Sequence, residues 1–147
     1  MLQCTALTDI PELDAFVALL DMENGPDHPP DVLALYDHLL CELGEHDEHT
    51  EHAARLWPVE LPDARDLWMF WTGTGAHRVY RFDERPICQA VSRRLPVRHT
   101  RVCRLFAQHS ATHSWDVTDP LGDLLTDVAR EEVRRLYEEA DDQDDTD

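Results

Sequence analysis

The chain has 147 residues, a length for one domain, and its 42% hydrophobic content with four Trp, four Phe and three Tyr supplies a core and excludes global disorder. Thirteen basic against thirty-one acidic residues give a formal net charge of −18, far past the magnitude of roughly 2–8 that keeps a small domain soluble. Such a field repels nucleic acid and anionic membranes and attracts basic protein surfaces. No apolar run reaches the ~20 residues of a membrane span, and MLQCTALTDIPEL lacks the basic and apolar regions of a signal peptide, so a cytoplasmic location is expected.

The first third reads as helices. Asp9 is placed as an N-cap with Glu12 at N3, followed by an apolar stripe of Leu13, Phe16, Val17 and Leu20 at helical spacing. After the breaker ENGPDHPP, a second helix is expected from about Asp31 to Leu43, ended by Gly44 as the C′ residue. A short polar third helix, about Asp47 to Leu56, is stopped by Pro58.

The middle reads as strands. Leu67–Trp71, the turn Gly73-Thr74-Gly75 and His77–Phe82 predict a hairpin, with a further turn at Asp83–Pro86. Ile87–Leu95 fits a short helix or a strand, and Arg101–Phe106 and Ser114–Val117 are candidate strands. The C-terminal helix opens on Asp119 as cap and Pro120 at N1, with Leu121, Leu124, Leu125, Val128, Val133, Leu136 and Tyr137 as its buried stripe. The expected architecture is α+β: N-terminal helices, a central antiparallel sheet of about three to four strands, and a long C-terminal helix packed on it. Residues 1–140 form that single domain, and 141–147 a disordered acidic tail. No internal repeat is evident.

Charge is unevenly spread: residues 1–66 carry a net −14, residues 67–115 a net +6 and residues 116–147 a net −10. All basic residues are Arg and none is Lys, which fits a GC-rich genome or the salt-adapted surface of a halophile. The carboxylates Asp31, Asp37, Glu42, Asp47, Glu48, Glu51, Asp123, Asp127 and Glu131 avoid the apolar stripes and define a candidate acidic docking face. Charge runs are also ordinary solvated surfaces. Arg93, Arg94, Arg98, Arg101 and Arg104 form a basic cluster that alone would suit RNA, but in a −18 molecule it is expected to pair with the acidic helices.

Two sets of chemistry-bearing side chains remain. His38, Cys41, His46, His49 and His52 fall within fifteen residues; His38 with Cys41 and His49 with His52 are each three apart, a spacing that turns each pair one way on a helix. His38, Cys41, His49 and His52 are therefore the candidate Zn²⁺ ligands, although no known zinc spacing is matched. Cys88 and Cys103 share the middle segment with His77, His99, His109 and His113, so a nucleophilic Cys–His pair is chemically feasible, with no signature selecting one. The four cysteines form no CxxC pair and read as reduced thiols packed as small apolar groups.

The expectation drawn from composition and size is a non-enzymatic interaction protein without a cofactor, which inhibits or sequesters a basic nucleic-acid-binding or nuclease partner. Immunity or antitoxin proteins and phage or plasmid anti-defence proteins (anti-CRISPR, anti-restriction, DNA mimics) are of this kind. Direct nucleic-acid or membrane binding is not expected. The alternatives are an accessory protein of a halophile whose acidity is solvent adaptation, and a His-rich regulator that binds Zn²⁺.

Overall fold

A computed structural model describes residues 1–94, 99–110 and 112–144. The order of elements is β1 (Leu7–Asp9), α1 (Glu12–Asp21), α2 (Pro29–Ala34), β2 (His38–Leu40), β3 (His52–Trp57), β4 (Arg65–Thr72), β5 (Val79–Pro86), β6 (Val91–Arg94), β7 (His99–Val102) and α3 (Pro120–Asp144). The strands form three antiparallel sheets: β1–β2, β3–β4–β5 and β6–β7. The α+β class holds, but the single small sheet is replaced by a three-stranded sheet flanked by two short ribbons.

β4 is the middle of the molecule. Its successive side chains point to opposite faces, yet Leu67, Trp68, Met69, Phe70 and Trp71 are all buried, so both faces of the strand are covered. Trp68, Met69, Phe70 and Trp71 share one cluster with Leu39, Cys41, Leu43, Cys103, Leu105 and Phe106, while Leu67 joins Ala15, Leu19, Val32 and Leu56 in a second. Phe106 sets its edge against both Trp68 and Phe70, with ring centroids 5.1 Å apart in each case, the arrangement aromatic quadrupoles favour. The β4–β5 hairpin forms as the sequence predicts, pairing Thr72 with Val79 and Trp71 with Tyr80. Gly73 turns it at φ +72°, where a Cβ would meet the His77 carbonyl oxygen at 2.6 Å. β5 continues through Asp83–Pro86, which is strand and not the expected turn.

Two of the expected N-terminal helices are changed, the second cut short and the third replaced, each for a packing reason. α1 starts at Glu12 because Asp9 ends β1, pairing with His38. Its buried residues are Ala15 and Leu19, whereas Leu13, Val17 and Leu20 are exposed. α2 stops at Ala34, and the chain from His38 onward is extended. Residues 39–43 satisfy two periods at once: Leu39, Leu40 and Leu43 suit a helix, but Leu39, Cys41 and Leu43 alternate as in a strand, and this second set is buried. The predicted third helix is in fact the loop to β3, whose Ala53, Ala54 and Leu56 enter the core. Ser114–Val117 is a short 3-10 turn, Ser114–Asp116, and not a strand.

α3 forms as predicted but does not pack on the sheet. Leu124, Leu125, Val128, Val133 and Leu136 are between 51% and 59% exposed, because both faces of β4 are already filled. The helix is held internally by Arg134–Glu131, Arg134–Glu138 and Arg135–Glu132 ion pairs. Its last residues, 141–144, are helical where an acidic tail was expected to be disordered; 145–147 lie outside the described residues. No helix among the described residues is long and apolar enough to cross a membrane.

A pair of candidate metal centres

All four cysteines and four of the nine histidines converge into two tetrads, Cys4–Cys41–His46–His52 and Cys88–Cys103–His109–His113. In each, one ligand atom from every member lies within 4.8 Å of the others. The two share the same pair of backbone hydrogen bonds. In the first, Cys4 N–H donates to Leu43 O at 2.9 Å and Cys41 N–H to Ala6 O at 2.9 Å. In the second, Cys88 N–H donates to Leu105 O at 2.8 Å and Cys103 N–H to Ala90 O at 3.2 Å. Each first cysteine stands three residues before a strand (β1, β6), and each second cysteine directly follows that strand's partner (β2, β7). A two-stranded ribbon thus ends in a diagonal pair of thiols.

The histidines repeat the symmetry. The first of each pair turns Nε2 to the second cysteine: His46 to Cys41 Sγ at 3.6 Å and His109 to Cys103 Sγ at 3.4 Å. The second turns Nδ1 to the first cysteine: His52 to Cys4 Sγ at 3.4 Å and His113 to Cys88 Sγ at 3.7 Å. His46 Nδ1 meets Asp47 O at 2.9 Å, and His109 Nδ1 meets Ser110 O at 3.1 Å. A carbonyl only accepts, so the proton sits on Nδ1 and the Nε2 lone pair faces inward, the outer-sphere arrangement that orients a metal-binding imidazole. Each second histidine also lies against an indole, His52 on Trp71 at 5.3 Å and His113 on Trp115 at 4.6 Å between centroids.

The spacings compare with the edges of a tetrahedral zinc site. Zn–S bonds of about 2.3 Å and Zn–N bonds of about 2.0–2.1 Å imply ligand–ligand edges of roughly 3.3–3.8 Å. The S···N distances of 3.4–3.7 Å fall within that range, and the His46 Nε2 to His52 Nδ1 separation of 3.1 Å lies just under it. Two soft thiols with two imidazoles are a zinc-type donor set. Both tetrads can hold a metal ion. Burial pushes the Cys41 thiol up to about 12 and also raises that of Cys88, and it lowers His52 with a further contribution from His46. In the protein without metal, these thiols are protonated and His52 is neutral.

The structure sorts the predicted metal ligands. Cys41 and His52 belong to the first tetrad. His38 is instead exposed on β2, 2.9 Å from Asp9, and His49 is exposed in the loop, its N–H held by Asp47. The helical spacing that suggested them does not exist here, since α2 ends at Ala34 before His38 and the third predicted helix is a loop leading into β3. Cys4 was missed because thirty-six residues separate it from Cys41. The proposed Cys–His pairs at Cys88 and Cys103 are part of the second tetrad with His109 and His113, while His77 is exposed in the Gly75–His77 turn and His99 is on β7. The repeat that the sequence hid is now visible: Cys4-Thr5-Ala6-Leu7-Thr8 matches Cys88-Gln89-Ala90-Val91-Ser92, and Cys41-Glu42-Leu43 matches Cys103-Arg104-Leu105.

The charged candidates fall on several elements. Asp31, Asp37, Asp47 and Glu48 are exposed before β3, Asp127 and Glu131 are exposed on α3, and Asp123 is on the same helix. Glu51 is tied to Arg81 at 2.8 Å. Glu42 is half-buried beside the first tetrad, accepts the Arg55 N–H, and is raised by burial. Arg93 and Arg94 are on β6, and Arg101 and Arg104 are exposed on and just after β7 without an ion pair among the described residues; Arg98 lies outside them. No protein-family model, curated protein or solved structure matches the chain.

Proposed function

We propose that this chain is a binding protein whose fold is stapled by two structural Zn²⁺ ions, one in each tetrad. The observation that carries the reading is the duplicated Cys2His2 geometry, with the same nitrogens facing the same cysteines and the same backbone bonds at both places. Four protein ligands leave no open position for water or substrate, which is the pattern of structural and not catalytic zinc. Stapling also suits a chain that spreads its apolar residues over two clusters and leaves its longest helix bare. Native mass spectrometry and elemental analysis of the purified protein test it: two zinc ions per chain are expected, falling to one in Cys4→Ser and to one in Cys88→Ser. A metal-free, fully folded protein would end the proposal.

The acidity favours a second element of the reading. The exposed carboxylates Asp31, Asp37, Asp47, Glu48, Asp127 and Glu131 make a basic protein the expected partner. In this reading the scaffold inhibits or sequesters that partner, as immunity, antitoxin and anti-defence proteins do. Association should weaken steeply between 50 mM and 500 mM salt in a calorimetric titration against the partner; insensitivity to salt would exclude charge-driven docking.

A further inference from the structure

We propose that the cleft between the two metal modules binds the oxyanion of a small phosphate-bearing ligand, inorganic phosphate or a phosphate ester, through Arg101 and Arg104. The inference goes beyond the zinc reading and rests on it only for the rigidity of the walls. The cleft has a volume of about 820 Å³, within the range of roughly 300–1,000 Å³ usual for small-molecule sites. Gln3 and Glu42 border it from the first module, next to Cys4 and Cys41. Arg101, Arg104, Ser114 and Trp115 border it from the second. A backbone bond from Gln3 N–H to Thr118 O, 2.8 Å long, ties the two sides together.

The repeat brings these groups together. Cys41-Glu42-Leu43 and Cys103-Arg104-Leu105 hold equivalent positions in the two modules. In each triplet the outer residues are buried and the middle one is not. Glu42 and Arg104 therefore turn away from their own metal sites, and both border the shared cleft. Burial raises the Glu42 carboxyl, and the Arg55 N–H and the charges of Arg55 and Arg104 oppose that rise. Glu42 is the one acid on the wall among the described residues, and its Oε2 is already taken by the Arg55 N–H. Arg55, Arg81 and Arg85 each hold a carboxylate, whereas Arg101 and Arg104 have no ion pair among the described residues, in a chain with thirty-one acids. Planar guanidinium forks match the oxygens of phosphate. Ser114 Oγ accepts the Arg104 N–H at 2.8 Å, which leaves its hydroxyl proton to donate. Trp115 offers a flat apolar wall to whatever the phosphate carries. The −18 charge of the chain opposes an anion at long range, but near physiological salt it is screened beyond about 8 Å.

Isothermal titration calorimetry of the purified full chain at about 0.15 M salt is the test, with adenosine monophosphate, inorganic phosphate and adenosine as separate titrants. Adenosine monophosphate is expected to bind one to one and more tightly than inorganic phosphate, and adenosine to give no saturable heat. Equal affinity for the two phosphates would support the oxyanion site and assign it to free phosphate. Arg101→Gln/Arg104→Gln should weaken binding at least about tenfold, with zinc content and circular dichroism unchanged. Glu42→Gln keeps an acceptor for the Arg55 N–H and removes the opposing charge, so binding should tighten by about threefold, a gain that a damaged fold would not give. The inference is overturned by a folded wild type silent to both phosphates up to about 10 mM. Full affinity in Arg101→Gln/Arg104→Gln, or adenosine binding as tightly as its monophosphate, overturns it equally. Zinc is counted separately, so a protein with two ions and no phosphate binding sinks this inference and leaves the zinc reading standing.

Discussion

The two candidate metal modules share a frame and differ in the chain that it closes. The first encloses thirty-six residues between its cysteines, including α1 and α2, and hands the chain on to β3 in the core; the second encloses fourteen and leads to the bare α3. Loop-closure entropy separates them by only about 0.8 kcal/mol. The comparison teaches that the coordination frame is a local backbone device, a ribbon end with two crossed N–H to carbonyl bonds, and is indifferent to the length of chain it closes. The contrast sharpens at one position: three residues after the second cysteine stands Gly44 in the first module and Phe106 in the second. A Cβ on Gly44 would meet Met1 Sδ at 2.7 Å, whereas Phe106 reaches Trp68 and Phe70.

Stripping the two proposed ions is the strongest challenge to this equivalence. Protons compete with zinc for thiolate and imidazole, and burial already favours the protonated Cys41 thiol, so metal should be lost as pH falls. His52 runs in the same direction: its lowered value means the neutral ring favours the fold, a contribution present above the ordinary 6.5 and lost as pH drops through the folded value. An acid titration with a zinc-sensitive dye is expected to release both ions between about pH 6 and pH 4, with loss of near-ultraviolet circular dichroism. Two well-separated release steps would show that the modules differ in strength despite their matching geometry.

Single-module damage is the next largest effect. Cys41→Ser and Cys103→Ser each remove a fully buried ligand, and each is expected to leave one ion and lower the thermal midpoint by more than about 10 °C, at roughly 2–4 °C per kcal/mol for a chain of this size. If either variant sheds both ions, the modules form one cooperative unit. Phe106→Ala should cost about 3–5 kcal/mol in denaturant unfolding through the cavity beside Trp68 and Phe70, while keeping two ions. At the small end, His38→Ala and His49→Ala should change neither zinc content nor stability by more than about 0.5 kcal/mol, since both rings are exposed and outside the tetrads. Loss of an ion in either would restore the helical-corner site suggested by sequence spacing.

What the sequence made legible was local. The β4–β5 hairpin announces itself through Gly73-Thr74-Gly75 between two apolar runs, and α3 through Asp119-Pro120 and its stripe. What stayed hidden depended on distant pairing. Residues 39–43 satisfy both helical and strand periods, and only pairing of β2 with β1 decides between them. The same pairing brings Cys4 to Cys41 and so makes the first tetrad; without it, His46 and His52 look like the company of a polar loop. The repeat escaped notice because matching pieces as short as Cys-x-Ala and Cys-x-Leu are divided by inserts of very different length. The bare face of α3 was equally illegible, since a stripe shows what a helix can bury and not whether a free surface awaits it.

The first residues of the chain are stitched to a segment more than a hundred positions away. Gln3 N–H donates to Thr118 O at 2.8 Å, and Thr118 N–H donates to Met1 O at 2.7 Å. During synthesis at about 5–20 residues per second, the leading strand therefore waits on the order of ten seconds for its seam to emerge from the ribosome. The first module's four ligands, Cys4 to His52, span only 49 residues, so capture of an ion there would hold that end in place until its late neighbour arrives.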